Sequence, residues 1–158
     1  MNDKLKKFIE DNIDLIEDNK FDDLYKKADV NYVGQLTQIL IDAAINPLPY
    51  MNHIVPCMYQ GCNITSIVIP DNIEYIHYVR GFGDNPCLEY ISLPSNLTSL
   101  GYQTFYGCTR LNTVDFRGTL SEFYNIKTKV QDWAYGSSIT EVVCSDGKIH
   151  LQRGKDYI

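Results

Sequence analysis

The chain has 158 residues, 44% hydrophobic and 22% charged, a composition that buries a core in one domain or in a small helical piece fused to a second one. Its formal charge is −6 and no basic stripe stands out, which argues against direct nucleic-acid binding, where Lys and Arg neutralise phosphates. No apolar run reaches the roughly 18 residues of a membrane span, and the N-terminus lacks the apolar stretch of a secretory signal, so a cytoplasmic location is expected.

Three helices are expected between residues 3 and 45. In the first, Leu5, Phe8, Ile9, Ile13 and Ile16 recur at helical spacing, with Asn2 or Asp3 as the cap. Its polar side carries Glu10, Asp11, Asp14, Glu17 and Asp18, with Asp22 and Asp23 close behind. The second runs from Phe21 to Ala28 and buries Phe21, Leu24 and Tyr25. The third spans Tyr32 to Ala44, with Val33, Leu36, Ile39, Leu40 and Ala43 on one face. Asn46-Pro47-Leu48-Pro49 ends it, because a residue preceding proline leaves the α region.

After Pro49 the period changes. Ile64-Thr-Ser-Ile67-Val-Ile69, Leu88-Glu-Tyr-Ile91-Ser-Leu93, Leu111-Asn-Thr-Val114-Asp-Phe116 and Ile139-Thr-Glu-Val142-Val-Cys144 share one apolar-x-x-apolar-x-apolar pattern. Their first residues are spaced by 24, 23 and 28, within the span of leucine-rich repeats. Met58, Phe82, Phe105 and Trp133 stand six residues before each segment. Ile73, Leu97 and Leu120 follow at nine, and Ile76, Leu100, Phe123 and Leu151 at twelve. A single repeat exposes more apolar surface than it covers, so neighbours stack into a solenoid with a parallel sheet. Pro70 and Pro94 close the first two strands. The longer last interval predicts a loop between Tyr124 and Trp133. Asp146-Gly147 predicts the turn of a closing hairpin.

The expected class is therefore α+β: an N-terminal helical cap over residues 1–52, then a solenoid of about four repeats with a closing hairpin over residues 53–158. The helices are placed to cap the first repeat.

Thr104-Phe105-Tyr-Gly-Cys108-Thr-Arg-Leu111-Asn-Thr-Val114 resembles the repeat of BspA-like leucine-rich-repeat proteins, Ala-Phe-x-x-Cys-x-x-Leu-x-x-Ile followed by Ile-Pro and a polar turn. Ile69-Pro70-Asp71-Asn72-Ile73 and Leu93-Pro94-Ser95-Asn96-Leu97 match the second half. Cys62 and Cys87 depart from the pattern, standing two and one residues before the leucine position instead of three. The resemblance covers about residues 54–151. It implies adhesion or protein recognition, and small helix-capped members are similar to proteins of bacteriophages and gut bacteria.

No catalytic, cofactor or metal site is expected. Cys57-x4-Cys62, with His53 nearby, is too widely spaced for a zinc knuckle and lacks a second close pair. The five cysteines, odd in number, read as reduced and as small buried hydrophobes. His53, His77 and His150 fall in different repeats or caps and accompany no nucleophile motif, so they read as surface groups or local hydrogen bonders. Gly81-Phe-Gly83 lacks the rest of a phosphate loop. Asn63-Ile-Thr65 and Asn96-Leu-Thr98 match glycosylation sequons, which matter only in a eukaryotic secretory pathway.

Two surfaces remain. Ser66, Val68, Tyr90, Ser92, Thr113, Asp115, Glu141 and Val143 alternate outward along the strands, with Tyr75, Tyr78, Tyr102, Tyr106 and Tyr124 nearby among 12 tyrosines. This sheet face is the expected surface for a protein partner in a non-enzymatic binding protein. The alternative surface is the acidic helix of Glu10, Asp11, Asp14, Glu17 and Asp18, suited to a small, phage-encoded inhibitor that fills the basic nucleic-acid channel of a host or defence enzyme. An adhesin fragment is a third reading.

Overall fold

The computed structural model describes residues 2–77, 79–126 and 133–151. The chain opens with α1 (Asp3–Asp11), α2 (Ile13–Glu17), α3 (Phe21–Lys27) and α4 (Val33–Asp42). The expected first helix is thus two. Asn12 divides them: its backbone N–H and its side-chain Nδ2 both bond the Phe8 carbonyl, the latter at 2.8 Å. An Asn side chain that competes for helix carbonyls offers the backbone a way out of the helix. The break turns Ile13 outward to 43% exposure, whereas the helical spacing placed it in the core. Leu5 is buried, and Phe8, Ile9, Leu15 and Ile16 pack partly against the core.

The second helix buries Phe21, Leu24 and Tyr25 as its spacing requires. Tyr25 reaches α4, its hydroxyl 2.6 Å from that of Thr37. The third helix is preceded by a 3-10 turn over Val30–Tyr32; it buries Val33, Leu36 and Leu40, leaves Ile39 half-buried and Ala43 exposed.

Strands then follow in order: β1 (His53–Ile54), β2 (Ser66–Val68), β3 (Tyr75–Ile76), β4 (Tyr90–Leu93), β5 (Ser99–Leu100) and β6 (Thr113–Phe116). After α5 (Leu120–Tyr124) come β7 (Glu141–Cys144) and β8 (Gly147–His150). β2, β4, β6 and β7 run parallel in a sheet that β8 closes antiparallel; β1, β3 and β5 form a second parallel sheet. The sheet order matches the repeat phase, each turn adding one strand. The second sheet comes from the twelve-residue offset: Ile76 and Leu100 are buried in it, beside Ile54. In the third turn α5 replaces the short strand, capped by Thr119 and Glu122 in a reciprocal pair that satisfies its first N–H groups. The closing hairpin turns at Ser145-Asp146, one residue earlier than expected, with Gly147 already paired to Cys144. Residues 127–132, the greater part of the expected loop, lie outside the described residues, as does Tyr78.

Between the sheets runs an aromatic column. Tyr59 stacks on Phe82 at 5.1 Å between centroids, and Phe82 on Phe105 at 5.8 Å. Trp133 meets Phe105 and Phe123 edge-on at 6.0 and 5.8 Å. Met58, Phe82, Phe105 and Trp133, one per turn, are wholly buried. Asn85, also wholly buried, donates from Nδ2 to the carbonyls of Tyr59, Phe82 and Gly83, tying the first turn to the second.

The corner opposite the larger sheet has its own ladder. Backbone N–H groups of Cys57, Tyr59 and Gly61 donate to Val79, Gly81 and Gly83; those of Val79, Phe82 and Asp84 donate to Tyr102, Thr104 and Tyr106; Gly107 donates to Gly136. Left-handed backbone recurs there at Cys57 and Gly61, Arg80 and Asp84, Gln103 and Gly107. At Gly107 (φ 81°) a Cβ would fall 2.7 Å from Asp84 Oδ1, so both conformation and space require glycine.

The helices seat on the first turn through Gly34. A Cβ there would lie 2.1 Å from the Gln60 carbonyl oxygen, so α4 approaches the turn as closely as backbone permits. Asn63 N–H also bonds Gln38 Oε1 at 2.6 Å.

Two substitutions test this packing by urea unfolding. Gly34→Ala should destabilise the protein by about 1–3 kcal/mol, the range for overpacking, as the helices are pushed off the first turn. Phe105→Ala empties the middle of the aromatic column and should cost about 3–5 kcal/mol.

Candidate functional site

The strand register aligns the outward residues in rows. Val68, Ser92, Asp115, Val143 and Lys148 form one, across all five strands; Ser66 pairs with Tyr90, and Thr113 with Glu141 and His150, in the next. Rigid backbone holds all eight expected residues on one face. Their exposure differs. Val68 is 60% exposed and Tyr90 45%, Ser66 is exposed, and Thr113, Asp115, Glu141 and Val143 are half-buried.

Ser92 is the exception to the expected outward exposure, at 2%. Arg117 covers it. The guanidinium donates from Nη1 to Ser92 Oγ at 2.8 Å, and from Nη2 to the Ile69 carbonyl at 2.5 Å and Asp71 Oδ1 at 2.9 Å. Ser92 and Tyr90 hydroxyls both donate to Asp115 Oδ2, at 3.1 and 3.2 Å. Arg117 and Asp71 thus belong to the face, although the sequence reading omitted them. Arg117 was within reach of that reading, since the 113, 115, 117 alternation continues past the apolar pattern.

Most charges on and beside this face are paired with one another, and Asp115 is held by the two hydroxyls instead. Besides Arg117–Asp71, Lys148 meets Glu141 at 3.2 Å and Arg110 meets Glu89 at 4.0 Å. What stays uncovered is the apolar and aromatic area of Val68 and Tyr90. The other tyrosines lie on different elements: Tyr75 on β3, Tyr102 and Tyr106 in the turn after β5, Tyr124 on α5. Tyr106 carries Arg80 over its ring at 4.2 Å.

Glu10, Asp11, Asp14, Glu17 and Asp18 are all exposed, now divided between α1 and α2, with Asp18 at the end of α2. Asp11 is paired with Lys7 at 3.2 Å. Asp22 leaves this group and faces the repeats.

Asp22 Oδ1 lies 2.7 Å from His53 Nε2, and His53 Nδ1 lies 2.8 Å from His77 Nε2. Two histidines expected to stand apart in different repeats are therefore bonded side by side, because β1 and β3 are neighbours in the second sheet. The Tyr75 ring packs on both, at 5.1 and 5.0 Å. Burial, with His53 adjacent, pushes the His77 pKa below its ordinary 6.5. His53 already uses both ring nitrogens, and two imidazoles fall short of a metal ligand set. Among the described residues no group of three or more His, Cys, Asp or Glu is arranged to hold a metal ion.

The Cys62 and Cys108 thiols are held in their protonated form. Burial pushes Cys62 up to about 12 and Cys108 to about 11. Cys62 Sγ donates to the Gly34 carbonyl at 3.4 Å and Cys108 Sγ to the Phe82 carbonyl at 3.1 Å. A protonated, buried thiol is a poor nucleophile. An open groove of about 630 Å³ between α4 and the first turn is lined by Leu5, Val30, Gly34, Gln38, Ile39 and Gln60 among others, and none of its lining side chains titrates near neutrality.

No helix among the described residues is long and apolar enough to cross a membrane. No curated protein and no solved structure matches the chain. The family model of the BspA type leucine-rich repeat region (6 copies) matches residues 50–146, more than half of the chain. These are the residues that build β1 to β7 and the aromatic column, and the chain belongs to the BspA-type leucine-rich-repeat family.

Proposed function

We propose that this is a non-enzymatic protein-binding module whose working surface is the outward face of β2, β4, β6 and β7. The observation that carries the reading is the exposure of Val68 and Tyr90 on a face whose charges are already ion-paired or, at Asp115, hydrogen-bonded. A partner covering this face gains apolar contact without stripping water from unpaired charges. Tyr90 is held by Asp115 and Ser92 by Arg117, so little side-chain freedom is lost on binding. The family is a repeat family of this kind, and the chain's thiols and histidines are arranged for packing and hydrogen bonding.

The test is capture from the native host with wild-type chain and with a Val68→Asp, Tyr90→Asp double variant. Both positions are surface-exposed, so folding should persist by circular dichroism while recovery of the partner falls at least about tenfold, a loss of two central contacts. Equal recovery by both chains would place binding elsewhere.

A second reading has its own support in the five exposed carboxylates from Glu10 to Asp18, which suit the basic channel of a nucleic-acid-handling enzyme through charge steering. Here the Glu10→Lys, Asp14→Lys, Glu17→Lys variant should lose inhibition of such an enzyme, and inhibition by the wild type should weaken with salt. Inhibition that survives the three reversals excludes this surface. For the adhesin reading the captured partner would be a cell-surface molecule.

A further inference from the structure

The geometry points to Asp22, His53 and His77 as a pH-sensitive latch that joins α3 and the first strand to the second turn of the solenoid, one that accepts a single added proton and opens on the second. The observation is the unbroken line of contacts from α3 through β1 to the end of β3: 2.7 Å from Asp22 Oδ1 to His53 Nε2, then 2.8 Å from His53 Nδ1 to His77 Nε2.

The proton count follows from these atoms. With both rings neutral, His53 Nε2–H donates to Asp22, and His53 Nδ1 accepts from His77 Nε2–H. One added proton rearranges this line without moving a heavy atom. The Nε2 proton of His77 passes to His53 Nδ1 and the added proton takes His77 Nδ1, so His53 donates from both nitrogens, to Asp22 on one side and to His77 Nε2 on the other. A second added proton has no such place. Each of the facing nitrogens would carry hydrogen at 2.8 Å, and two imidazolium charges would stand in contact. One ring must leave. His53 is the better held, between a carboxylate and the sheet, so His77 is the ring that swings away.

The surroundings favour this order. Tyr75 of β3 packs on both rings, and Asp22 from α3 is the carboxylate bonded to the pair. Lys26, one turn beyond Asp22 on α3, and Glu74, before β3, are both exposed. Asp22 bonds His53 and not His77, and protonation of His77 is disfavoured by burial and by His53 beside it.

The sign of the effect is set by His77. A histidine with a depressed pKa in the folded chain binds fewer protons there than when unfolded. Its contribution to stability is complete above 6.5 and is lost as pH falls below that value toward the depressed one. The place of the loss is local. The His77 N–H bonds the Ile54 carbonyl at 3.0 Å, and that backbone bond lies beside the latch.

Amide hydrogen exchange of the intact chain tests this between pH 7.5 and 5.0, corrected for the intrinsic rate. The protection factor of the His77 amide should fall about tenfold per pH unit once the second proton binds, while the Val142 amide in β7 stays level. His77→Gln carries an acceptor in place of Nε2 and no charge, so its protection at residue 77 should be flat over the same range. Loss of protection in the variant equal to that in the wild type, or no loss in the wild type, overturns the latch. Should the variant fail to fold, the wild-type imidazole resonances decide: a His77 midpoint below 6.5, coupled to that of His53, supports it, and two independent ordinary midpoints overturn it.

Discussion

Everything in this molecule depends on the fact that one turn cannot bury its own apolar residues. A turn here offers a strand of two to four residues and one large side chain, far too little to fold alone. Stacked, the same residues make a column from Tyr59 to Trp133 in which Phe82 and Phe105 each serve as floor for one neighbour and ceiling for another. The helices enter this scheme as the first layer. Their buried leucines continue the same apolar cluster that ends at Leu151, and Gly34 lets α4 come close enough to join it.

This dependence explains why the repeat was plain in the sequence. Core positions must be apolar in every turn, so Ile69, Leu93, Phe116 and Cys144 keep phase over changing surface residues, and all four are buried. The features that escaped notice depend on something other than a recurring apolar residue. β1, β3 and β5 have two residues each, shorter than any alternation that periodicity can register. The division of the first helix rests on one Asn side chain finding a carbonyl four residues back. Asp22 and His53 are 31 residues apart, and only the docking of α3 on β1 brings them together.

The outward face shows the same division. Alternation put all eight residues on one side of the sheet, since side chains in a strand have no other choice. It could not say which would be covered. Ser92 is buried by a guanidinium extending from β6 across β4 toward the end of β2, and that reach is a property of side-chain length and not of strand period. The result is a surface more ordered than a list of outward positions suggests, with Arg117 and Asp115 fixing the polar groups around Val68 and Tyr90.

The corner ladder has a direction. From Cys57 onward, each turn gives its N–H groups to carbonyls of the turn that follows, through Asp84 to Gly107. Peptide dipoles aligned in one sense add instead of cancelling, as they do along a helix. This edge of the solenoid is therefore polarised along its length, with carbonyl oxygens directed toward the helical end and amide hydrogens toward the hairpin. An ion drifting along the corner would meet opposite partial charges at its two ends, whatever side chains evolution placed between them.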